Sequence, residues 1–569
     1  MPHRVLPVLA AILVMSALTG CEKTAEAPLV ESAPVSSIPT AAPALAAIDK
    51  VTYRQHVKTL SSDAFGGRGP ASEGERLTVE YLVNAFKAIG LKPGNGDSYT
   101  QDVPLAWVMV TNSPTLNFVG NNEQKMTLTY GDDQVVGTRR QTGAAAIENS
   151  DVVFVGYGIN APERDWNDYA GVDVKGKTVI MLVNDPGYAT QDPGIFNGNA
   201  MTYYGRWDYK YAEAARQGAS AAIIIHDTKP AAYPWATVEN SWTGRQFDRV
   251  MADADERLLD IQGWIQKEKA RELFAQVDLD LEQLYVQAKT PGFTAIPVAL
   301  KAAIDLETST EQILSQNVVA MLPGREAPQE YFIYMAHWDH LGTDTSLEGD
   351  QIYNGALDNA TGTAGLLELA SAYAGLDQAP RRSVMFLAVT AEEQGLLGSA
   401  YYASNPVKPL ALTVAGLNMD GLNISGPTND VTISGFDLSE LDDVMAAAAV
   451  EQQRVVVPES EPEKGYYYRS DHFELAKQGV PMLYPGGGYD HKTKGRAYME
   501  ARAADYIAND YHRVSDEYDP SWDVTGAILD LQLYFTVGYK IANNDDWPNW
   551  REGTEFRAAR DAQRQALAK

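Results

Sequence analysis

The chain runs to 569 residues with a formal charge of −29, 45% apolar residues and ten tryptophans. That length is too great for one ordinary domain, so two or three are expected, and the apolar and aromatic content excludes a largely disordered chain. The acidic balance argues against nucleic acid as a partner, because phosphate binding needs clustered Lys and Arg; it serves solubility and would also draw in cationic substrates, such as peptides with free amino termini.

The first elements in chain order read as targeting. His3 and Arg4 make a short basic start, and Leu6 to Leu18 is an apolar run too short to span a bilayer as a helix. It ends in Leu18-Thr19-Gly20-Cys21, which resembles a bacterial lipoprotein signal (residues 1–20) and implies cleavage before Cys21 and acylation of that residue. Export to the cell envelope follows, with a lipid anchor in the outer membrane as the favoured placement. Cys21 is the single cysteine of the chain, so no intramolecular disulfide can form. Residues 21–48, rich in Ala, Pro, Ser and Thr, are expected to be a disordered tether.

A helix is predicted over Gly74 to Gly90, with Leu77, Tyr81, Leu82, Phe86 and Ile89 on one face and a glycine stop. From 111 to 305 the texture changes to short strand-like runs, Val152–Val155, Thr178–Val183 and Ala221–His226, with a helix between the last two ending in Gly218. From Gln316 onward, Val318–Leu322, Phe332–Ala336 and Val384–Thr390 are unbroken apolar runs. Such runs suit strands buried on both faces of a mostly parallel sheet. The helical stretch Gly362 to Tyr373 sits between two of them, the spacing of a crossover unit. The fold class is therefore α/β, a mostly parallel, mixed central sheet flanked by helices, interrupted by a β-rich insertion. The Arg- and Ala-rich tail, 546–569, is predicted to end in a peripheral helix.

The residues that carry chemistry lie between His337 and His512. They are His337, Asp339, Asp358, the pair Glu392-Glu393, Asp420 and His512. Zinc takes nitrogen from neutral His and oxygen from Asp or Glu at about 2.0–2.2 Å. Two zinc ions about 3.5–4 Å apart need a carboxylate between them. Asp358, at a loop-to-helix junction, suits the bridge. His337 with Asp420 and Glu393 with His512 would complete one metal each. Glu392, next to a ligand, can reach the attacking water without coordinating and act as general base. Asp339 is placed to accept the other ring N–H of His337. His337, Glu392 and Glu393 all fall at or just after the ends of predicted strands, where ligands of such sheets gather.

The motifs HWDHLG, GALDNATGTAGLLELA, AVTAEEQGLLGS, LNMDG and DYHRVSDE together resemble the series of the M28 family of zinc metallopeptidases. The resemblance spans 49–110 and 315–545 and implies two Zn2+ held by His337, Asp358, Glu393, Asp420 and His512. It also implies Glu392 as base, Asp339 behind His337 and a cis bond after Asp358. A second likeness, at Tyr466-Tyr467-Tyr468-Arg469-Ser470-Asp471-His472, implies an oxyanion-stabilising hydroxyl from Tyr467, with Tyr468 the alternative. Residues 111–305 resemble an inserted protease-associated (PA) domain through VVFVGYGI, GKTVIMLVNDP and YAEAARQGASAAIIIHD.

The expected function is removal of the N-terminal residue from peptide substrates. A carboxypeptidase of the same family is the first rival, prompted by Arg469, Arg496 and Arg513 near the site segments. A one-zinc glutaminyl-cyclase-like acyltransferase is the second, and a binding protein without catalysis the third. His56, His226 and His491 read as structural, and His340 and His472 as loop-ordering residues.

Overall fold

The computed structural model describes residues 41–120, 123–250 and 258–567. The lipoprotein signal and Cys21 lie outside them.

The half that carries the predicted site residues is built on parallel strands in the order Arg382–Val389, Ala327–His337, Thr413–Asn418, Met482–Gly487. The sheet is mixed, because the long strand Ile296–Leu322 adds antiparallel to Arg382–Val389, and Asp430–Ser434 adds antiparallel to Met482–Gly487. All eight residues of Arg382–Val389 are buried, as an apolar run covered on both faces must be. Helices Thr361–Ala374 and Thr525–Asn543 cover one side, and the first joins Ala327–His337 to its parallel neighbour as the predicted crossover. Val389 lies opposite His337, so the ligand-bearing loops leave the same edge of the sheet.

The predicted helix over 74–90 is Glu73–Ile89. The Ser72 side chain accepts the Glu75 N–H at its start, and Gly90 closes it at φ +93. Its buried stripe is Thr78, Val79, Leu82 and Phe86, rotated from the expected face; Leu77, Tyr81 and Ile89 are only half-buried. Two other expectations need correcting. The end of the supposed tether forms a helix, Ala42–Ala47, with Ala44 and Ile48 buried in the catalytic core. The tail is not peripheral. Trp550 is buried and its indole donates to the Gly479 carbonyl, while the fully buried Arg560 of helix Arg557–Leu567 donates to the Thr413 and Val414 carbonyls.

The insertion has its own parallel core, Ala144–Phe154, Thr178–Leu182, Ala221–His226 and Ile261–Gln266, with helix Trp207–Arg216 against it. It is not separated by a linker. Ile296–Leu322 runs through both halves without a break. Its first part pairs with Ala144–Phe154, and from Thr308 to Val318 it pairs with Thr100–Val110. The boundaries expected at 111 and 305 therefore fall on a two-stranded ribbon that carries the insertion to the cleft.

Candidate metal centre

Each predicted ligand is delivered by the end of a regular element. His337 closes its strand, and its carbonyl accepts the Thr363 hydroxyl at 2.7 Å. Its Nε2 lies 3.2 Å from Asp420 Oδ1 and 3.3 Å from Asp358 Oδ1. On the other side, His512 Nε2 lies 3.3 Å from Asp358 Oδ2 and 3.1 Å from Glu393 Oε2. Two ligands each about 2.1 Å from a tetrahedral zinc stand roughly 3.4 Å apart. The four separations are of that size, and Asp358 takes part on both sides. The peptide bond between Asp358 and Asn359 is cis, as expected.

Asp358 is held by residues outside the predicted ligands. Both oxygens of Asp516 are used, one accepting the Leu357 N–H at 2.9 Å and the other the Asp358 N–H at 3.1 Å. Asn359 Oδ1 accepts from Gly362 N at 2.9 Å and Gly421 N at 3.2 Å, tying the bridge to the Asp420 loop. Gly355 lies at φ +54, and a Cβ there would strike the His340 ring, so the turn into Asp358 needs glycine. Arg68, fully buried, donates to four carbonyls: Trp338 at 2.8 Å, Leu60 at 2.8 Å, Asn354 at 2.6 Å and Gly355 at 2.7 Å. It clamps the loops beside His337 and Asp358 together.

Two adjacent glutamates meet opposite electrostatics. Burial raises the Glu392 pKa well above the carboxylate range, and Asp420 and Glu393 push it the same way. For Glu393 burial and Asp358 work against ionisation, but His512 and His340 prevail and hold it down at about 2. The two neighbours are thereby pushed in opposite directions, Glu393 toward the anion and Glu392 toward the protonated acid. Burial opposes the charged form of both imidazoles. The carboxylates overcome it, Glu392 and Asp420 holding His337 well above its ordinary value and Glu393 and Asp358 bringing His512 up to about 10. Carboxylates outnumber imidazoles in this cluster, a charge imbalance that bound cations would offset.

Most of the predicted set converges, with two exceptions. The Asp339 carboxylate is 3.9 Å from His337 Nδ1, which instead faces the Asp339 carbonyl at 3.2 Å; its Oδ1 accepts the Glu392 N–H at 3.1 Å. Asp339 therefore orders the loop of the expected base. Tyr467 does not reach the site. Its ring is buried against Tyr468, His472 and Phe556, and its hydroxyl donates to the Met482 carbonyl at 3.1 Å. The alternative, Tyr468, points to Glu555. Among the tyrosines that do line the cleft, two lie against the predicted ligands: Tyr484, whose hydroxyl is 3.4 Å from Asp420 Oδ2, and Tyr511, stacked on His512 at 3.9 Å between centroids. Tyr511 was adjacent to a predicted ligand, which is the signal that would have found it; Tyr484 sits in a strand with no such mark. The Ser470 of the same segment is used differently, its hydroxyl donating to Asp420 Oδ2 at 2.7 Å.

His340 Nδ1 lies 2.6 Å from Glu393 Oε1 and positions that ligand. His472 is enclosed between the Tyr467 and Tyr484 rings, and burial lowers its pKa to about 3, so it packs and does not titrate near neutrality. His56, His226 and His491 make local hydrogen bonds away from the cluster, as expected. The cluster opens into a cleft of about 930 Å³, walled by Tyr466, Arg469, Tyr506 and Tyr511 and, from the insertion, by Tyr233 and Thr237.

Residues 317–536 match the model of peptidase family M28. A probable zinc metalloprotease of Leptosphaeria maculans is 36% identical over 125 residues, 21% of this chain and 28% of that protein. The aminopeptidase NAALADL1 of Mus musculus is 31% identical over 138 residues, 23% of this chain and 17% of that protein. The chain thus spans less than a third of the length of these curated relatives. Among solved structures, an aminopeptidase from Aneurinibacillus sp. strain AM-1 aligns over 89% of this chain and 97% of its own at 19% identity and a TM-score of 0.48. The matched residues begin within the long strand Ile296–Leu322 and include the His337, Asp358, Glu392-Glu393, Asp420 and His512 loops. The donor set, imidazole nitrogen and carboxylate oxygen only, suits zinc.

Proposed function

We propose that the chain is a di-zinc exopeptidase that hydrolyses the N-terminal peptide bond of peptides, with Glu392 as general base. The observation that carries this is Asp358, whose two carboxylate oxygens each face a different histidine at 3.3 Å. One zinc would be held by His337, Asp358 and Asp420, the other by Asp358, Glu393 and His512, and together they would polarise the scissile carbonyl and make the attacking water more acidic. Glu392 Oε2 lies 3.9 Å from His337 Nε2, beside the ligands and outside both sets, and its raised pKa suits a group that takes the water's proton and returns it to the leaving amine. Tyr484 and Tyr511 replace Tyr467 as the hydroxyls for the oxyanion. Asp510, Glu517 and Asp519 in the cleft wall favour a substrate with a free ammonium group. We also read 111–305 as a PA domain that narrows the cleft, and Cys21 as the lipid anchor of an exported protein.

Metal analysis and peptide kinetics test the reading together. Two zinc ions per chain are expected, with loss of hydrolysis on chelation. Glu392→Gln should keep its zinc and lose about 10²–10⁴ in kcat, the usual contribution of a positioned general base. If an N-acetylated peptide is cleaved as fast as the free one, the N-terminal assignment fails. A single tight zinc with cyclisation of N-terminal Gln would replace hydrolysis by acyl transfer.

A further inference from the structure

One joint between the insertion and the rest of the chain is the ribbon of Thr100–Val110 with Thr308–Val318. Two strands alone would let the insertion swing, because parts of a chain joined by a narrow connection move relative to each other unless a second contact stops them. A second contact is made by a short loop of the insertion, residues 199–205. Asn199 Nδ2 donates to Glu463 Oε2 at 3.1 Å, and the Met201 N–H donates to the Pro462 carbonyl at 3.0 Å. Gly465, at φ +60, lies so near Met201 that a Cβ there would stand 2.7 Å from its sulfur, so this close approach needs glycine.

The C-terminal segment completes the joint. The Tyr203 N–H and the Tyr468 hydroxyl both donate to Glu555 Oε1, each at 3.3 Å. The Tyr203 ring meets Phe473 edge-on at 4.9 Å between centroids, Phe473 lies 6.2 Å from Phe556, and Phe556 lies 4.9 Å from the buried Trp550. One carboxylate oxygen thus ties together three distant segments: the insertion loop, the turn Tyr466–Tyr468 and the tail. The joint also reaches the cleft. Tyr466 walls it, and Met201 and Arg206 share a cavity of about 10 Å³ with Tyr233 and Arg469, two further residues of the cleft wall.

We propose that Glu555 is a positioning residue, the clasp by which the C-terminal segment holds the insertion against the Tyr466–Tyr468 turn and so sets how wide the cleft stands to longer peptides. With the clasp made, Tyr233 and Thr237 stay over the cleft. With it released, the ribbon becomes a hinge and the mouth widens. The consequence for substrates rests on the peptide-hydrolysis reading; the contact itself does not.

Amide hydrogen exchange and peptide kinetics on Glu555→Ala and Glu555→Gln test the proposal. Gln keeps an oxygen acceptor at the same place and Ala does not. In Glu555→Ala, exchange at 199–205 and 466–468 should speed up by about 10-fold or more, the scale of one lost hydrogen bond to a charged group. Strands Ala221–His226 and Arg382–Val389 should keep their protection, which separates a released joint from a misfolded chain. Glu555→Gln should stay close to the parent. In Glu555→Ala the kcat/KM for a decapeptide, relative to a dipeptide amide with the same N-terminal residue, should rise several-fold through KM, with zinc content and the dipeptide kcat unchanged. Exchange at 199–205 left as in the parent overturns the clasp. Faster exchange with an unchanged length preference overturns its role in setting the cleft. If the parent hydrolyses neither peptide, the peptidase reading falls and the exchange rates alone decide on the clasp.

Discussion

Arg68 is the most exposed point of the construction to a single substitution, although it touches no ligand. Its guanidinium serves four carbonyls on three separate segments, 60, 338 and 354–355. Replacing it by Met removes all four donors and leaves those carbonyls buried. An unpaired buried acceptor costs about 1–3 kcal/mol, and the terms are not additive within one network. A loss of about 4 kcal/mol is expected, a large fraction of the about 5–15 kcal/mol that holds a domain together. Arg68→Lys keeps one ammonium with at most three donors in a different geometry, so it should recover part of the stability and not all. Burial already presses the Arg68 pKa down to about 10, a measure of how far the site is removed from water. Urea unfolding with and without zinc reads the stability. Zinc competition reads the second effect, an affinity loss of about 10–100-fold, because the clamped loops carry His337 and Asp358. If Arg68→Met unfolds at the same urea concentration as the parent and holds zinc as tightly, the clamp is decorative and the reasoning is wrong.

Other consequences follow from the same geometry. Tyr484→Phe should lower kcat by about 10–100-fold with zinc content unchanged, whereas Tyr467→Phe should cost about 1 kcal/mol of stability and little activity; the opposite pattern in parallel assays would restore Tyr467 to the site. Asp516→Ala frees the Leu357 and Asp358 N–H groups and should weaken zinc binding by about 10–100-fold, measured by competition with a chromophoric chelator. Glu368 is buried at the Asp49 N–H, and burial raises its pKa from 4.5 to about 7. The folded state therefore binds this proton more tightly than the unfolded chain. The associated stability is full below pH 4.5 and is lost as pH rises through about 7. Glu368→Gln should move relative to the parent in its own favour by up to about 3 kcal/mol between pH 4.5 and 8; a stability gap that does not change with pH contradicts the assignment.

The sequence by itself determined the ordered series of candidate ligands and the sheet that presents it. Strands such as Arg382–Val389 are apolar at nearly every position, so their burial and the places where they end are written locally. His337 closes such a strand, and Glu392-Glu393 and Asp420 follow the ends of two others, whereas Asp358 precedes helix Thr361–Ala374 and His512 follows helix Arg496–Asn509. What only the tertiary structure decided is where side chains point once distant loops meet. Tyr467 and Tyr484 are both aromatic residues near the site segment; the turn at Gly465 folds the first against Met482 and leaves the second facing Asp420. Asp339 is two residues from His337, yet its carboxylate accepts from Glu392, brought in from the neighbouring strand. Arg68 meets Trp338 and Gly355 across more than 260 residues of chain, and no local pattern marks it. The same holds for Ile296–Leu322, whose alternating texture breaks near 305 although its hydrogen bonds do not. Periodicity reports which residues a chain buries; the partner of a buried polar group is set by contacts between segments far apart in sequence, and these exist only once the chain has folded.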